Sequence, residues 1–232
     1  MMELIKCEGV YKKLGDKNIL ENINLTITDN KIIGLLGKNG VGKTTLIKLI
    51  NGLLTVDSGK ITVLGEEIGV FSKNAISYLP ERNYLDKGKS IKDTLSFWNE
   101  FYDNFDIKKA RKLLKDLSLR EDEKLSKMSK GNLDKLSLIL VMSRKAKIYI
   151  LDEPLGGVDP ATRDYILDTI LNNFEDGSSV IISTHLISDI EKILDEVIFI
   201  DNGKIILKED ADEIRKKENS SIDEVFRRRF KC

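Results

Sequence analysis

The 232-residue chain carries 38 Lys and Arg against 38 Asp and Glu, a formal net charge of zero, with 41% hydrophobic and 33% charged residues. That is one large or two small globular domains, and the balanced charge argues against a protein whose main partner is a polyanion such as nucleic acid. The two cysteines, Cys7 and Cys232, stand at opposite ends, which excludes a disulfide scaffold or a zinc cluster and fits a reducing compartment.

Residues 4–11, 19–28 and 31–36 are short apolar or alternating runs separated by Gly15-Asp16 and Asp29-Asn30, and read as strands. After Gly37 the period becomes helical, with Thr45, Leu46, Leu49 and Ile50 on one face and Gly52 as the stop. Residues 60–64 and 76–79 read as further strands. From Ser90, capped through Asp93, the spacing of Ile91, Leu95, Trp98, Tyr102 and Phe105 predicts one helix. Asp106 starts a second helix, and a third follows Gly131. Beyond them, strands are expected at 148–151 and 180–183, helices at 161–174 and 186–194, and a hairpin around Asn202-Gly203. The pattern is a mixed-sheet α/β core with an antiparallel β portion and a helical insertion. Residues 1–80 and 146–210 form the core and β subdomain, 82–145 the helical subdomain, and 211–232 a C-terminal extension.

No apolar run approaches the ~20 residues that span a bilayer. Residues 1–6 lack the basic start and long apolar stretch of a signal peptide. Work at a membrane would therefore require another chain. The segment 221–231 reads as a short capped helix that packs Ile222, Val225 and Phe226 inward and leaves its arginines in solvent. The alternative is contact with anionic lipid or an acidic partner.

Three places carry chemistry. Gly37-Lys38-Asn39-Gly40-Val41-Gly42-Lys43-Thr44, followed by Thr45, matches a phosphate-binding loop. Its glycines let backbone N–H groups wrap phosphates, Lys43 adds charge, the Thr44 hydroxyl can hold Mg²⁺, and the following helix presents its positive end. Second, the apolar strand at 148–151 runs into Asp152-Glu153 before Pro154 stops it. An aspartate there can engage Mg²⁺, and a neighbouring carboxylate can activate water. Third, the one histidine, His185, follows the strand at 180–183.

The succession of phosphate loop, Ile76-Ser77-Tyr78-Leu79-Pro80-Glu81, Met128-Ser129-Lys130-Gly131-Asn132, Asp152-Glu153, Gly157-Val158-Asp159-Pro160 and His185 resembles the ATP-binding cassette (ABC) ATPases over nearly the whole chain. The resemblance implies a P-loop NTPase core, ATP and Mg²⁺ as ligands, and Tyr11 as the aromatic on adenine. Thr44, Asp152 and Glu81 would lie at the metal, Glu153 would polarise water, and His185 would contact the γ-phosphate. Two cassettes, identical or not, would pair head to tail, with Ser129, Lys130, Gly131 and Asn132 touching the partner's ATP and Asp159 at the seam. A separate permease would hold the pair at the inner face of the cell membrane, its coupling helix lying between the helical subdomain and the segment after Glu81. Phe97 and Phe101, four residues apart on a second flank of the first subdomain helix, would form a wall of that groove.

Two positions depart from the family pattern. Glu81 stands where a glutamine is usual, and Lys130 and Asn132 alter the usual Leu-Ser-Gly-Gly-Gln signature. Both departures resemble cassettes that serve drug, bacitracin-type or peptide export. Two alternatives stay open on the sequence: a soluble ABC ATPase not coupled to transport, and a nucleotide-dependent switch with little turnover.

Overall fold

A computed structural model describes residues 1–230; Lys231 and Cys232, the last positions of the basic tail and of the cysteine count, lie outside the described residues. Strands β1 (Glu3–Leu14), β2 (Lys17–Thr28) and β3 (Ile32–Leu36) lead to helix α1 (Lys43–Ile50), then β4 (Ser58–Val63) and β5 (Glu66–Glu67). A short α2 (Val70–Ala75) and β6 (Ile76–Leu79) precede three helices, α3 (Ile91–Phe101), α4 (Ile107–Asp116) and α5 (Lys130–Met142). The chain returns through β7 (Ile148–Asp152), α6 (Pro160–Asn173), β8 (Ser179–Thr184), α7 (Ile187–Ile190), β9 (Glu196–Asp201) and β10 (Lys204–Asp210). It closes with α8 (Ala211–Glu218) and α9 (Ile222–Phe230).

The strands form two sheets, an antiparallel one in the order β2-β1-β4-β5 and a larger one in the order β10-β9-β3-β8-β7-β6. In the larger sheet only the β9–β10 hairpin is antiparallel. Its turn residues Asn202 and Gly203 have φ of 44° and 72°, as a tight two-residue hairpin requires. Every residue of β3, β7 and β8 is buried, because both faces of the parallel sheet are covered. Alternation then sorts side chains into two cores. Ile33, Leu35, Ile148 and Ile150 pack toward the antiparallel sheet and α1, while Leu36, Tyr149, Leu151 and Ile182 pack toward the helical insertion and α6.

The helical segments show where periodicity misleads. The expected run from Ile91 through Phe105 stops at Phe101, with Tyr102 as its cap. Asp106 caps α4 through the amides of Lys108 and Lys109, and the backbone of Phe105 bridges to Arg144, so these residues must leave the helix. Trp98, Tyr102 and Phe105 still meet, with ring centroids 5.1 and 5.8 Å apart, because the chain folds back over the same apolar spot. The helix expected at 186–194 is only one turn of α7 and a tighter turn over Glu191–Ile193. It stops because Asp195 is tied to β3, exchanging bonds with the backbone of Ile32.

At the C-terminus, Ser221 and Glu224 cap α9 reciprocally. Ile222, Val225, Phe226 and Phe230 are buried, and Phe226 and Phe230 meet Phe199 of β9 edge-on. Arg227, Arg228 and Arg229 point to solvent and pair with Asp223 and Glu218. Among the described residues no helix is long and apolar enough to cross a membrane.

Candidate functional site

Sheet register brings the sequence motifs together. Leu36, the last residue of β3, lies beside Thr184 at the end of β8; Ser183 lies beside Asp152 at the end of β7; Leu151 lies beside Leu79 at the end of β6. Four parallel strands thus end at one level, and the residues just past them face one cleft of about 1000 Å³. This is where parallel α/β sheets bind ligands.

The phosphate loop bends tightly over that edge. A Cβ at Gly37 would sit 2.5 Å from the Ile200 carbonyl. At Gly42, φ is 111° and a Cβ would lie 2.8 Å from Leu20, so no larger residue fits either position. Asn39, Gly40, Gly42, Lys43, Thr44 and Thr45 line the cleft. Val41 accepts from the Gly203 amide, and Lys38 turns away to donate to the Phe230 carbonyl at 2.7 Å. Buried Lys43 donates to the carbonyls of Gly37 at 2.6 Å and Lys38 at 3.1 Å, and its Nζ lies 3.8 Å from Glu153 Oε1. Burial pushes its ammonium below the usual lysine range, opposed by the charges of Glu153, Asp152 and Glu81.

Asp152 and Glu153 follow one another but face different surroundings. Asp152 is buried; Ser183 donates to its Oδ1, and its Oδ2 has no hydrogen-bond partner among the described residues. Burial pushes its carboxyl above the ordinary range, more than the Ser183 and Thr44 hydroxyls pull it down. An orphaned carboxylate oxygen beside a threonine hydroxyl is the donor set a hard cation takes, so these residues fit Mg²⁺. Glu153 adopts a left-handed backbone, φ 50°, a strained conformation for a non-glycine residue. Its amide still donates to the Ser183 carbonyl, while its carboxylate turns into the cleft. There Oε2 accepts from the Thr184 hydroxyl at 3.2 Å and lies 3.0 Å from His185 Nδ1. That contact puts the His185 ring proton on Nδ1 whenever Glu153 is ionised.

On the opposite wall, Glu81 follows β6, and Met128, Lys130, Leu133 and Asp134 come from the helical insertion. Ser129 is the N-cap of α5, accepting from the Asn132 amide at 3.2 Å. Asp159 is the N-cap of α6, held below the ordinary carboxylate range by the hydroxyl and amide of Thr162. Gly131 approaches that same Thr162. Ser129, Gly131, Asn132 and Asp159 are not brought into the cleft, and neither is Tyr11. Tyr11 is 43% exposed on β1, where its backbone pairs with β4; Ile19 of β2 supplies an apolar edge of the cleft instead.

Sequence reasoning missed Ile19, the two hydroxyl residues Ser183 and Thr184 that hold the carboxylates, and Asn83. Asn83 donates to the Leu133 carbonyl and Ser137 hydroxyl, tying the segment after Glu81 to α5. The Ser183-Thr184 pair directly before His185 was the signal available for two of them.

The family model described as ABC transporter matches residues 20–156. Two relatives from Bacillus subtilis (strain 168) are similar along most of the chain. The ABC transporter ATP-binding protein YtrB is 30% identical, over 92% of this chain and 74% of its own length. The linearmycin resistance ATP-binding protein LnrL is 32% identical, over 88% and 68%. A solved ATP-binding subunit of an ABC transporter superposes with a TM-score of 0.87 at 24% identity, covering 96% of this chain and 98% of that one. A phosphate loop, the strand-end Glu153 and a histidine converge on one cleft, with Asp152 on the smaller cavity beside it, in a chain matched over more than half its length, and the chain belongs to the ABC transporter family as an ATP-binding cassette.

Proposed function

We propose that this cassette hydrolyses ATP, pairing with a second cassette when ATP binds, and that the cycle drives a separate membrane permease at the inner face of the membrane. The observation that carries the reading is Glu153, held by Thr184 and His185 within reach of Lys43. Lys43 exchanges its loop carbonyls for phosphate oxygens, keeping a charge-assisted bond. Glu153 accepts a proton from the attacking water, with His185 fixing its orientation and standing ready at the γ-phosphate. Thr44 and the open oxygen of Asp152 would hold Mg²⁺, with Glu81 facing it; when bound, the ion neutralises charge on the phosphates. Ser129 to Asn132 would approach the partner's nucleotide and Asp159 the seam between cassettes. Adenine would lie over Ile19, with Tyr11 reaching it from the rim.

Export is the direction we favour, since one relative is named for resistance to linearmycin. A drug, antibiotic or peptide is the class of cargo this suggests. Permease docking is supported by a groove of about 630 Å³ between α2, β6 and α3, lined by Tyr78, Tyr84, Trp98, Phe101 and Arg144. Phe97 and Phe101 are 60% and 65% exposed and stack at 5.7 Å on its rim, outside the subdomain's own core. Glu153→Gln tests the chemistry. MgATP binding should persist while turnover falls by about 10²–10⁴-fold and dimer accumulates. Near-normal turnover would overturn the assignment.

A further inference from the structure

Helix α9 is held at both ends by residues outside it, and each belongs to a segment that supplies the cleft. At its start, the Glu191 carboxylate accepts from the Asp223 amide at 3.0 Å. At its end, the Lys38 ammonium donates to the Phe230 carbonyl at 2.7 Å. The signs match the helix, whose first amides favour an anion and whose last carbonyls favour a cation. Between these contacts Phe226 and Phe230 seat the helix on Phe199 of β9. Lys38 belongs to the phosphate loop, and its own carbonyl accepts from Lys43 at 3.1 Å. In the proposed cycle Lys43 gives up that carbonyl for a phosphate oxygen, so the loop changes at the residue tied to α9. Glu191 closes α7, the single turn that starts two residues after His185, and Arg215 of α8 donates to its carbonyl. That turn has no side-chain cap of its own, so its seating depends on such ties. The rise of α9 from Asp223 to Phe230 is about 10 Å, one rigid spacer between the two segments.

We propose that Lys38 and Glu191 are positioning residues that act through α9, which sets the separation of the phosphate loop and the segment carrying His185. The inference rests on the phosphate loop being the nucleotide site, and it assigns Lys38 to holding the loop rather than to touching phosphate. Nucleotide binding and the docking of α9 are then linked. Linkage is reciprocal: what loosens α9 weakens the nucleotide, and the nucleotide tightens α9.

The test uses the full chain and MgADP, which engages the phosphate loop without a γ-phosphate to draw two cassettes together. Lys38→Met and Glu191→Ala should each weaken MgADP about threefold in calorimetry, the effect of losing one partly solvated contact. The double variant should be no weaker than about the single ones, because either change already frees the spacer. Lys38→Arg keeps a donor and should bind within about twofold of wild type. Hydrogen exchange of the α9 amides should slow about threefold when MgADP saturates the wild-type chain, and should not respond in Lys38→Met. Normal affinity of Lys38→Met or Glu191→Ala, additive losses in the double variant, or wild-type α9 exchange that ignores MgADP would overturn the proposal. The exchange measurement on wild type needs no variant, so it decides even where a substitution unfolds the chain. Lys43→Ala is the separate control: if it binds MgADP normally, the loop is not the nucleotide site and the underlying reading fails instead.

Discussion

The two walls of the cleft are built differently. On the core wall, chemistry hangs from the ends of buried parallel strands, and each functional group has a partner fixed by register: Asp152 by Ser183, Glu153 by Thr184 and His185, Lys43 by loop carbonyls. On the helical wall, Lys130 and Asp134 stand on the first turn and a half of α5, whose start is capped by Ser129 and whose body is tied to β6 and the segment after it through Ser77 and Asn83. Geometry on the first wall is shared by several strands at once, whereas on the second it depends on how one subdomain sits. The first wall is therefore the more firmly fixed of the two.

The largest effect should come from removing the support behind the core wall. Deleting residues 221–232 takes Ile222, Val225, Phe226 and Phe230 out of the core, the last two from against Phe199, and frees Lys38 from the Phe230 carbonyl. A loss on the order of 5 kcal/mol is expected from the apolar burial alone, read by urea denaturation. If the truncated chain instead keeps its stability, α9 is an appendage and the core wall stands without it. This cut also decides the lipid alternative, because a tail buried in the core gives no flotation with liposomes in the intact protein.

Next, the helical wall can be split into core and surface. Trp98→Ala empties the aromatic cluster shared by Tyr102 and Phe105 and should cost about 3–5 kcal/mol. Phe97→Ala with Phe101→Ala, on the same helix, should cost less than about 1 kcal/mol, since both rings are mostly in solvent, yet abolish copurification with the permease. Early melting of the double variant would place the rings in the core and move the docking surface elsewhere.

The smallest expected effect concerns the junction between the walls. Asp159 is held below its ordinary value of 3.8 by Thr162, so its folded pKa is depressed. Its stabilising contribution is present above that value and is lost as pH falls through the lower folded pKa. Asp159→Asn keeps a side-chain acceptor for the cap but cannot titrate. The difference in Tm between wild type and variant should shrink between neutral pH and about pH 3. A constant difference would show that the carboxylate charge at this cap contributes nothing.

Much of this protein was legible in its sequence because the signals were local. A phosphate loop needs closely spaced glycines and a lysine, caps sit three residues from what they cap, and a two-residue hairpin needs residues tolerant of positive φ. Hence the phosphate loop, the capped starts of α3, α4 and α9, and the Asn202-Gly203 turn were all readable. Where two local signals competed, as at Tyr102 to Asp106, periodicity lost to the next cap and to a backbone bridge from Arg144. What the sequence could not determine is which strands are neighbours. Nothing in residues 32–36, 148–152 or 179–184 states that β8 lies between β3 and β7, yet that order alone carries Glu153 to His185 and leaves one oxygen of Asp152 open. Likewise, only the folded chain shows Tyr11 outside the cleft and Lys130 inside it, since strand bulges and the seating of α5 are settled by packing between segments far apart in sequence. Local hydrogen bonding and steric preference act over a few residues and write themselves into the sequence; non-local burial acts between distant segments and is decided only by the tertiary structure.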